Sequence, residues 1–296
     1  MTVHMRNGDF ELIPADPRQF AIHCAAYREN VFFRQSWERR LAVFGADPSC
    51  YWMMLGERRI GGVSLKPNTV WNLYMEPPFT DLYRLLAKLK PLMISASDPT
   101  EPIEVHGILP IQSEPFYRLG FVPVETRRVM IRPTEVFDAT DWKGLSLRSP
   151  TADRLEELAY LSYEAYSGND RIGYPAENTL DNQLSALERY FTADTDEFLL
   201  NASSIVLDLN DEPVAFCLLS MWEDLPLVSN IAVAPEYRGK GIASGMLRKS
   251  LTALKERYEV VRLFVTVGNA AEAVYYNHGF HPGASQTTFS LPARSG

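Results

Sequence analysis

The sequence predicts an α/β chain, with mixed α+β sheets, made of two tandem domains that are each a mixed, mostly antiparallel sheet flanked by helices. Three observations predict it. Short apolar strands alternate with segments of helical apolar spacing; the same order of segments runs twice, about 150 residues apart; and each run closes on one signature, Gly120-Phe121-Val122-Pro123 and Gly279-Phe280-His281-Pro282. The copies are expected at residues 1–132 and 145–296, joined by a polar, proline-marked link at 133–144.

Each copy opens on a short strand and an apolar-periodic helix: Phe10–Ile13 with a helix near Pro17–Asn30, and Leu145–Arg148 with Ala152–Tyr166, where Leu155, Leu158, Ala159, Ser162 and Tyr166 recur near helical spacing. A hairpin follows in each. Tyr51–Leu55 turns through Gly56-Glu57-Arg58-Arg59 into Ile60–Leu65, and Ser204–Leu209 turns through Asn210-Asp211-Glu212 into Val214–Met221. Next come a strand and a helix, Val70–Tyr74 with Asp81–Leu89, and Leu227–Val233 with Ile242–Arg257, whose residues Ile242, Met246, Leu247, Leu251 and Leu254 form an apolar stripe. A further strand (Ile103–Ile108; Val260–Val267), a short helix, the Gly-Phe signature and a last strand close each copy. The signature glycine suits a left-handed helix C-cap, and the phenylalanine is expected in the core.

The 296 residues, 46% of them hydrophobic and 22% charged, suffice for two medium cores. No apolar run reaches eighteen residues, and the start Met1-Thr2-Val3-His4-Met5-Arg6 lacks an apolar signal core, so no membrane partner and a cytoplasmic location are expected. Cys24, Cys50 and Cys217 lack paired spacing and the five histidines do not cluster, which predicts neither disulfide nor metal. The net charge of −8 is all C-terminal: residues 1–144 carry 17 basic and 17 acidic side chains, residues 145–296 carry 12 and 20. Between Asp153 and Glu197 eleven acids face only Arg154, Arg171 and Arg189, a surface that repels phosphate backbones and argues against nucleic acid as partner.

The segment richest in chemistry is Asn230-Ile231-Ala232-Val233-Ala234-Pro235-Glu236-Tyr237-Arg238-Gly239-Lys240-Gly241-Ile242-Ala243, a buried strand, a proline-marked exit, a glycine turn and a helix start. Backbone N–H groups at a helix start have no intrahelical partner, and the helix dipole favours negative charge there, so the segment suits phosphate. Gly239 and Gly241 allow positive φ and close approach of a pyrophosphate, and Arg238 and Lys240 add charge.

This segment resembles the pyrophosphate-binding motif of the GNAT superfamily of N-acetyltransferases, Gln/Arg-x-x-Gly-x-Gly/Ala, matched by Arg238, Gly241 and Ala243. Downstream, Asn269-Ala270-Ala271-Glu272-Ala273-Val274-Tyr275-Tyr276-Asn277-His278-Gly279-Phe280 looks like the family's second motif. The resemblance implies two tandem GNAT-like domains, acetyl-CoA as cosubstrate, coenzyme contacts at Ile231, Ala232, Val233, Arg238, Gly239, Lys240, Gly241, Ile242, Ala243 and Asn269, and protonation of the leaving thiolate by Tyr275, with Tyr276 as the fallback.

Acetyl transfer to an amine needs three things. An alkyl ammonium titrates near 10.4, as lysine does, so a base or a site favouring the free amine is required. The thioester carbonyl needs a donor, which the family provides as a strand N–H near Ile231–Val233. The thiolate needs an acid, a task within reach of a tyrosine. The strand before the loop reads Leu225-Pro226-Leu227-Val228-Ser229-Asn230 and holds no acid where many relatives place a glutamate; Glu223 and Asp224 just before it are the candidate bases, and waters held by Ser229 and Asn230 are the alternative. The acidic stretch and the loop Ser167–Pro175, with Asp170 and Tyr174, suit a cationic small-molecule or peptide amine.

The first copy has Met75-Glu76-Pro77-Pro78-Phe79-Thr80-Asp81 where the second has its glycine turn, Phe116 at the place of Tyr275 and Pro110 at that of Asn269, and is therefore expected neither to bind coenzyme A in the usual way nor to catalyse. Three functions stay open: an N-acetyltransferase acting by direct attack in a ternary complex, a non-catalytic acyl-CoA sensor, and transfer of a longer acyl group or transfer to a hydroxyl. Either a monomer or a homodimer fits, since two fused copies satisfy internally a contact that single-domain relatives make by dimerising.

Overall fold

A computed structural model describes residues 4–30, 36–167, 178–193 and 196–293. The chain divides into two compact units, Met1–Arg127 with Ala284–Gly296, and Arg128–Gly283. It runs through β1 (Met5–Asn7), β2 (Phe10–Pro14), α1 (Pro17–Tyr27), α2 (Trp37–Gly45), β3 (Cys50–Leu55), β4 (Arg58–Lys66), β5 (Thr69–Met75), α3 (Leu82–Ser95), β6 (Ile103–Ile108), α4 (Ser113–Arg118) and β7 (Val122–Pro133). There follow β8 (Ser146–Arg148), α5 (Leu155–Ala165), α6 (Leu180–Thr192), α7 (Glu197–Ala202), β9 (Ser204–Leu207), β10 (Pro213–Trp222), β11 (Leu225–Val233), α8 (Ile242–Leu254), β12 (Val260–Thr266), α9 (Ala270–Asn277), β13 (His281–Pro282) and β14 (Gln286–Leu291).

In the first unit β1 to β5 form an antiparallel ladder and β5 pairs parallel with β6. The apolar face of α3, including Leu85, Leu86 and Leu89, fills the core on one side of the sheet, and Phe20, Ala21, Cys24 and Ala25 of α1 fill it on the other. In the second unit β8 to β11 are antiparallel and β11 pairs parallel with β12. The predicted stripe Ile242, Met246, Leu247, Leu251 and Leu254 is buried against one face, and Leu158, Ala159 and Leu161 of α5 against the other. The two signature glycines have φ of 82° at Gly120 and 80° at Gly279, the left-handed cap expected of them, and Phe121 and Phe280 are buried.

By order in the sequence Gln286–Leu291 closes the second copy, yet β14 hydrogen-bonds within the first unit, antiparallel to both β6 and β7. Phe289 is buried in that unit's core, its ring 5.0 Å from that of Phe116. The second unit uses the end of β7 instead: Ile131 and Met130 pair with His281 and Pro282, and Met130 is buried beside Val261 and Leu263. Residues 133–144, expected as a link, run in the second unit as a packed strap. The Thr134 N–H donates to Glu259 O (2.9 Å), its hydroxyl to Tyr258 O (2.6 Å), and the Phe137 N–H to Thr252 Oγ1 (2.9 Å). Trp142 lies so close to α8 that a Cβ on Gly245 would sit 2.1 Å from its ring. Among the described residues no helix is long and apolar enough to cross a membrane, and no three His, Cys, Asp or Glu side chains gather as a metal site.

Candidate active site

Strands β11 and β12 pair only through Leu227 with Arg262 and Val228 with Leu263. The ladder between β10 and β11 steps from Leu219 opposite Val228 to Leu218 opposite Asn230, so Ser229 is an extra residue in β11. Such a bulge bends its strand and ends regular pairing. Beyond it β11 and β12 part, and a cleft of about 640 Å³ opens with Ile231, Ala232 and Val233 on one wall, Val265 and Thr266 on the other, and Tyr166 and Tyr275 facing into it from the helical layers.

The β11 wall presents backbone groups to the cleft. The Tyr166 hydroxyl donates to Ile231 O at 2.8 Å and lies 3.2 Å from Asn230 Oδ1, so the carbonyl of Ile231 faces the cleft and away from β10. In a strand the N–H and C=O of one residue leave the same edge and alternate with those of the next, which puts the N–H groups of Ile231 and Val233 on that edge too.

At the far end of β11, Pro235–Tyr237 form a 3-10 turn that leads into the glycines. Gly239 and Gly241 have φ of 74° and 77°, and Gly241 is the N-cap of α8. A Cβ at either glycine would meet nothing within 4 Å, so these positions demand the left-handed backbone and leave open space before the helix start. The first helical bond runs from Gly245 N to Gly241 O at 3.0 Å, leaving the N–H groups of Ile242, Ala243 and Ser244 outside the helical ladder.

The remaining expected residues divide. Arg238 lines the cleft, but its Nη2 donates to Ala165 O (2.6 Å), capping the C-terminus of α5. Lys240 is not a wall residue; its ammonium lies 4.4 Å from the centroid of the Tyr237 ring. Asn269 lines the cleft as the N-cap of α9, accepting from Ala271 N at 2.9 Å. Tyr275 is 9% exposed and packs edge-on against Phe280 at 6.0 Å, whereas Tyr276 is 64% exposed and does not line the cleft. Glu223 and Asp224 are not brought to the cleft. They have φ of 48° and 69° and form the two-residue turn between Trp222 and Leu225, eight and seven residues from Ile231, so at least about 23 Å of strand. The loop expected to grip the acceptor lies, from residue 168, outside the described residues; the acids Glu156, Glu157, Glu164, Asp181 and Glu188 on α5 and α6 are exposed.

Sequence reasoning missed Tyr166 and Ser244 as cleft residues. Tyr166 had a signal only as one of the apolar-periodic positions of its helix, and Ser244 as the first polar residue after the loop.

The first unit repeats the splay without the opening. Gly62 lies opposite Tyr74 and Ser64 opposite Trp71, so β5 also carries an extra residue, and β5 and β6 pair only through Thr69 with Glu104 and Val70 with Val105. Here Arg28 fills the gap, donating from Nη1 to Asn72 Oδ1 (2.9 Å) and from Nη2 to Gly107 O (3.4 Å), and about 170 Å³ remains. Burial lowers the guanidinium's affinity for its proton. Glu76, at the end of β5, is held 3.0 Å from both His23 Nδ1 and Arg59 Nε.

Comparison with known proteins gives a consistent outcome. Residues 161–280 match the model of the acetyltransferase (GNAT) family. An uncharacterized N-acetyltransferase of Methanocaldococcus jannaschii is 24% identical over 188 residues, 60% of this chain and 74% of that protein. Among solved structures, a GCN5-related N-acetyltransferase from Sphaerobacter thermophilus aligns over 99% of this chain and 98% of its own with a TM-score of 0.68 and 18% identity. A tandem GNAT protein from the clavulanic acid biosynthesis pathway aligns over 97% and 100% with a TM-score of 0.60 and 11% identity. At such identities the solved structures establish the fold.

Proposed function

We propose that this chain, whose residues 161–280 match the acetyltransferase (GNAT) family model, is a tandem member of that superfamily and that its second unit transfers an acetyl group from acetyl-CoA to an amine by direct attack in a ternary complex. The observation that carries the reading is the cleft between the parted strands β11 and β12, ending on the free N–H groups of the α8 start.

Each part of the site then has a task. The N–H groups of Gly239, Gly241, Ile242, Ala243 and Ser244 hold the diphosphate. The outward edge of Ile231 and Val233 pairs with the extended thioester arm, and an N–H of this edge strengthens its bond to the carbonyl oxygen as negative charge develops there. The amine nitrogen attacks the thioester carbon, the C–S bond breaks, and sulfur takes a proton from Tyr275; the proton released by nitrogen leaves through water near Ser229 and Asn230 and restores the phenol. Tyr166, on the same edge, fixes the Ile231 peptide. The exposed acids of α5 and α6 favour a cationic small-molecule or peptide amine as acceptor. In this reading the first unit, with Arg28 in its splay, is a catalytically silent copy, and the protein works in the cytoplasm.

A second reading, a non-catalytic acyl-CoA sensor, draws support from the distance of Glu223 and Asp224 from the cleft. Calorimetric titration with acetyl-CoA of the wild type and of Gly241→Glu tests the first reading. One site per chain, lost in the variant, is expected; no binding by the wild type overturns the coenzyme assignment, and two sites overturn the silence of the first unit. Thiol release with a panel of polyamine, amino-sugar and peptide amines then separates the two readings, since binding without turnover belongs to a sensor.

A further inference from the structure

We propose that His278 is a positioning residue that turns the Ser244 hydroxyl into a hydrogen-bond donor to the coenzyme's diphosphate; this rests on the coenzyme A reading of the cleft. Ser244 is the third residue of α8 and lines the cleft at its phosphate end. His278, the C-cap of α9, places Nε2 2.6 Å from Ser244 Oγ. One proton lies in that contact, and its owner decides what Ser244 offers. If Ser244 donates to Nε2, the oxygen turns only lone pairs toward the cleft and repels phosphate oxygens. If Nε2–H donates to Ser244, the hydroxyl proton is free to reach a phosphate oxygen as one more donor beside the helix-start N–H groups.

The surroundings set which form is present. The charged groups facing the imidazole are Arg248, one turn along α8 from Ser244, and Arg132 of β7, itself ion-paired with Glu135. Burial first, and then these two cations, hold the imidazole below its ordinary titration range, so near neutral pH it is uncharged and its tautomer is free to respond. A bound diphosphate selects the Nε2–H tautomer. It also favours the imidazolium, which donates from the same nitrogen, so the complex binds a proton more readily than the free protein and affinity rises as pH falls toward the histidine's range.

The test is a double-mutant cycle in coenzyme A affinity, by calorimetry on the full chain, using wild type, Ser244→Ala, His278→Phe, the double variant and His278→Gln, with melting temperatures as a folding control. The glutamine amide N–H reaches the place of ring Nε2 and cannot titrate. Loss of the hydroxyl in Ser244→Ala, or of the Nε2–H that turns it toward the cleft in His278→Phe, is expected to weaken binding about tenfold or more, with the double variant no weaker than either single. His278→Gln is expected to stay within about threefold of wild type while losing the pH dependence that the imidazole gives the wild type. Wild-type affinity in His278→Phe, losses that multiply in the double variant, or a His278→Gln as weak as His278→Phe overturns the proposal. Should His278→Phe not fold, the Ser244→Ala and His278→Gln pair decides it, through the pH dependence that Ser244→Ala should also lose. Wild type that binds no coenzyme A overturns the coenzyme reading itself, a result distinct from all of these.

Discussion

Phe289→Ala probes the exchanged strand. The residue lies near the chain's C-terminus, yet its fully buried ring stacks on Phe116 at 5.0 Å and meets Tyr117 edge-on at 5.2 Å. Removing a buried phenylalanine costs about 3–5 kcal/mol through lost transfer energy and the cavity left behind. Against a typical domain stability of about 5–15 kcal/mol this is a large fraction. A loss of about 4 kcal/mol corresponds to a nearly thousandfold rise in the population of the open form. Native-state amide exchange read by mass spectrometry should therefore show β6 and β2, some 180 and 275 residues earlier in the chain, exchanging faster by about that factor if they open with their unit. Acceleration confined to residues after Ala270, or a loss under about 1 kcal/mol, would refute the assignment of β14 to the first unit's core.

Tyr275→Phe keeps the ring against Phe280 and removes only the acid, so kcat should fall about a hundredfold with the Kd for acetyl-CoA unchanged; steady-state kinetics beside calorimetry will show the reverse if the ring is merely a wall. Gly241→Ala adds a Cβ that touches nothing within 4 Å, which isolates the cost of a left-handed alanine at about 1–2 kcal/mol. Because the free protein already holds that conformation, the cost should appear as an equal loss of folding stability in urea unfolding, and an unchanged midpoint would refute the demand for left-handed backbone at this position. Burial pushes His106 down from 6.5 to about 4. Between those values the unfolded chain holds more protons than the folded one, so stability is lost as pH falls through that window. Urea midpoints measured across pH 4 to 6.5 should flatten in His106→Gln, and an unchanged slope would show that His106 does not set the acid limb.

The glycine-turn end of the cleft was legible because its determinants are local. Gly239 and Gly241 need positive φ whatever surrounds them, the α8 stripe repeats at helical spacing, and Tyr275 stands at a set distance before Gly279-Phe280. Glu223 and Asp224 misled for the opposite reason. Seven residues are few in sequence, but a strand advances about 3.3 Å for each, so near neighbours in the chain stand at opposite ends of β11. Arg238 and Lys240 stand beside the glycine turn in sequence, but the α5 carbonyl and the Tyr237 ring, which lie elsewhere in the chain or across the turn, hold their heads.

By itself the sequence determined the two α/β copies, the glycine turn before α8 and the tyrosine before the Gly-Phe signature, because apolar period, turn chemistry and helix-start donors act within about fifteen residues and need no partner from afar. Only the tertiary structure decided where β14 pairs, since an alternating strand states which of its faces is buried and not which edge it joins. It likewise decided that Arg28 closes one splay while the other stays open, and that His278 meets Ser244. Each is a contact between residues more than thirty positions apart, and their meeting depends on how sheets and helices pack, a property that no local pattern encodes.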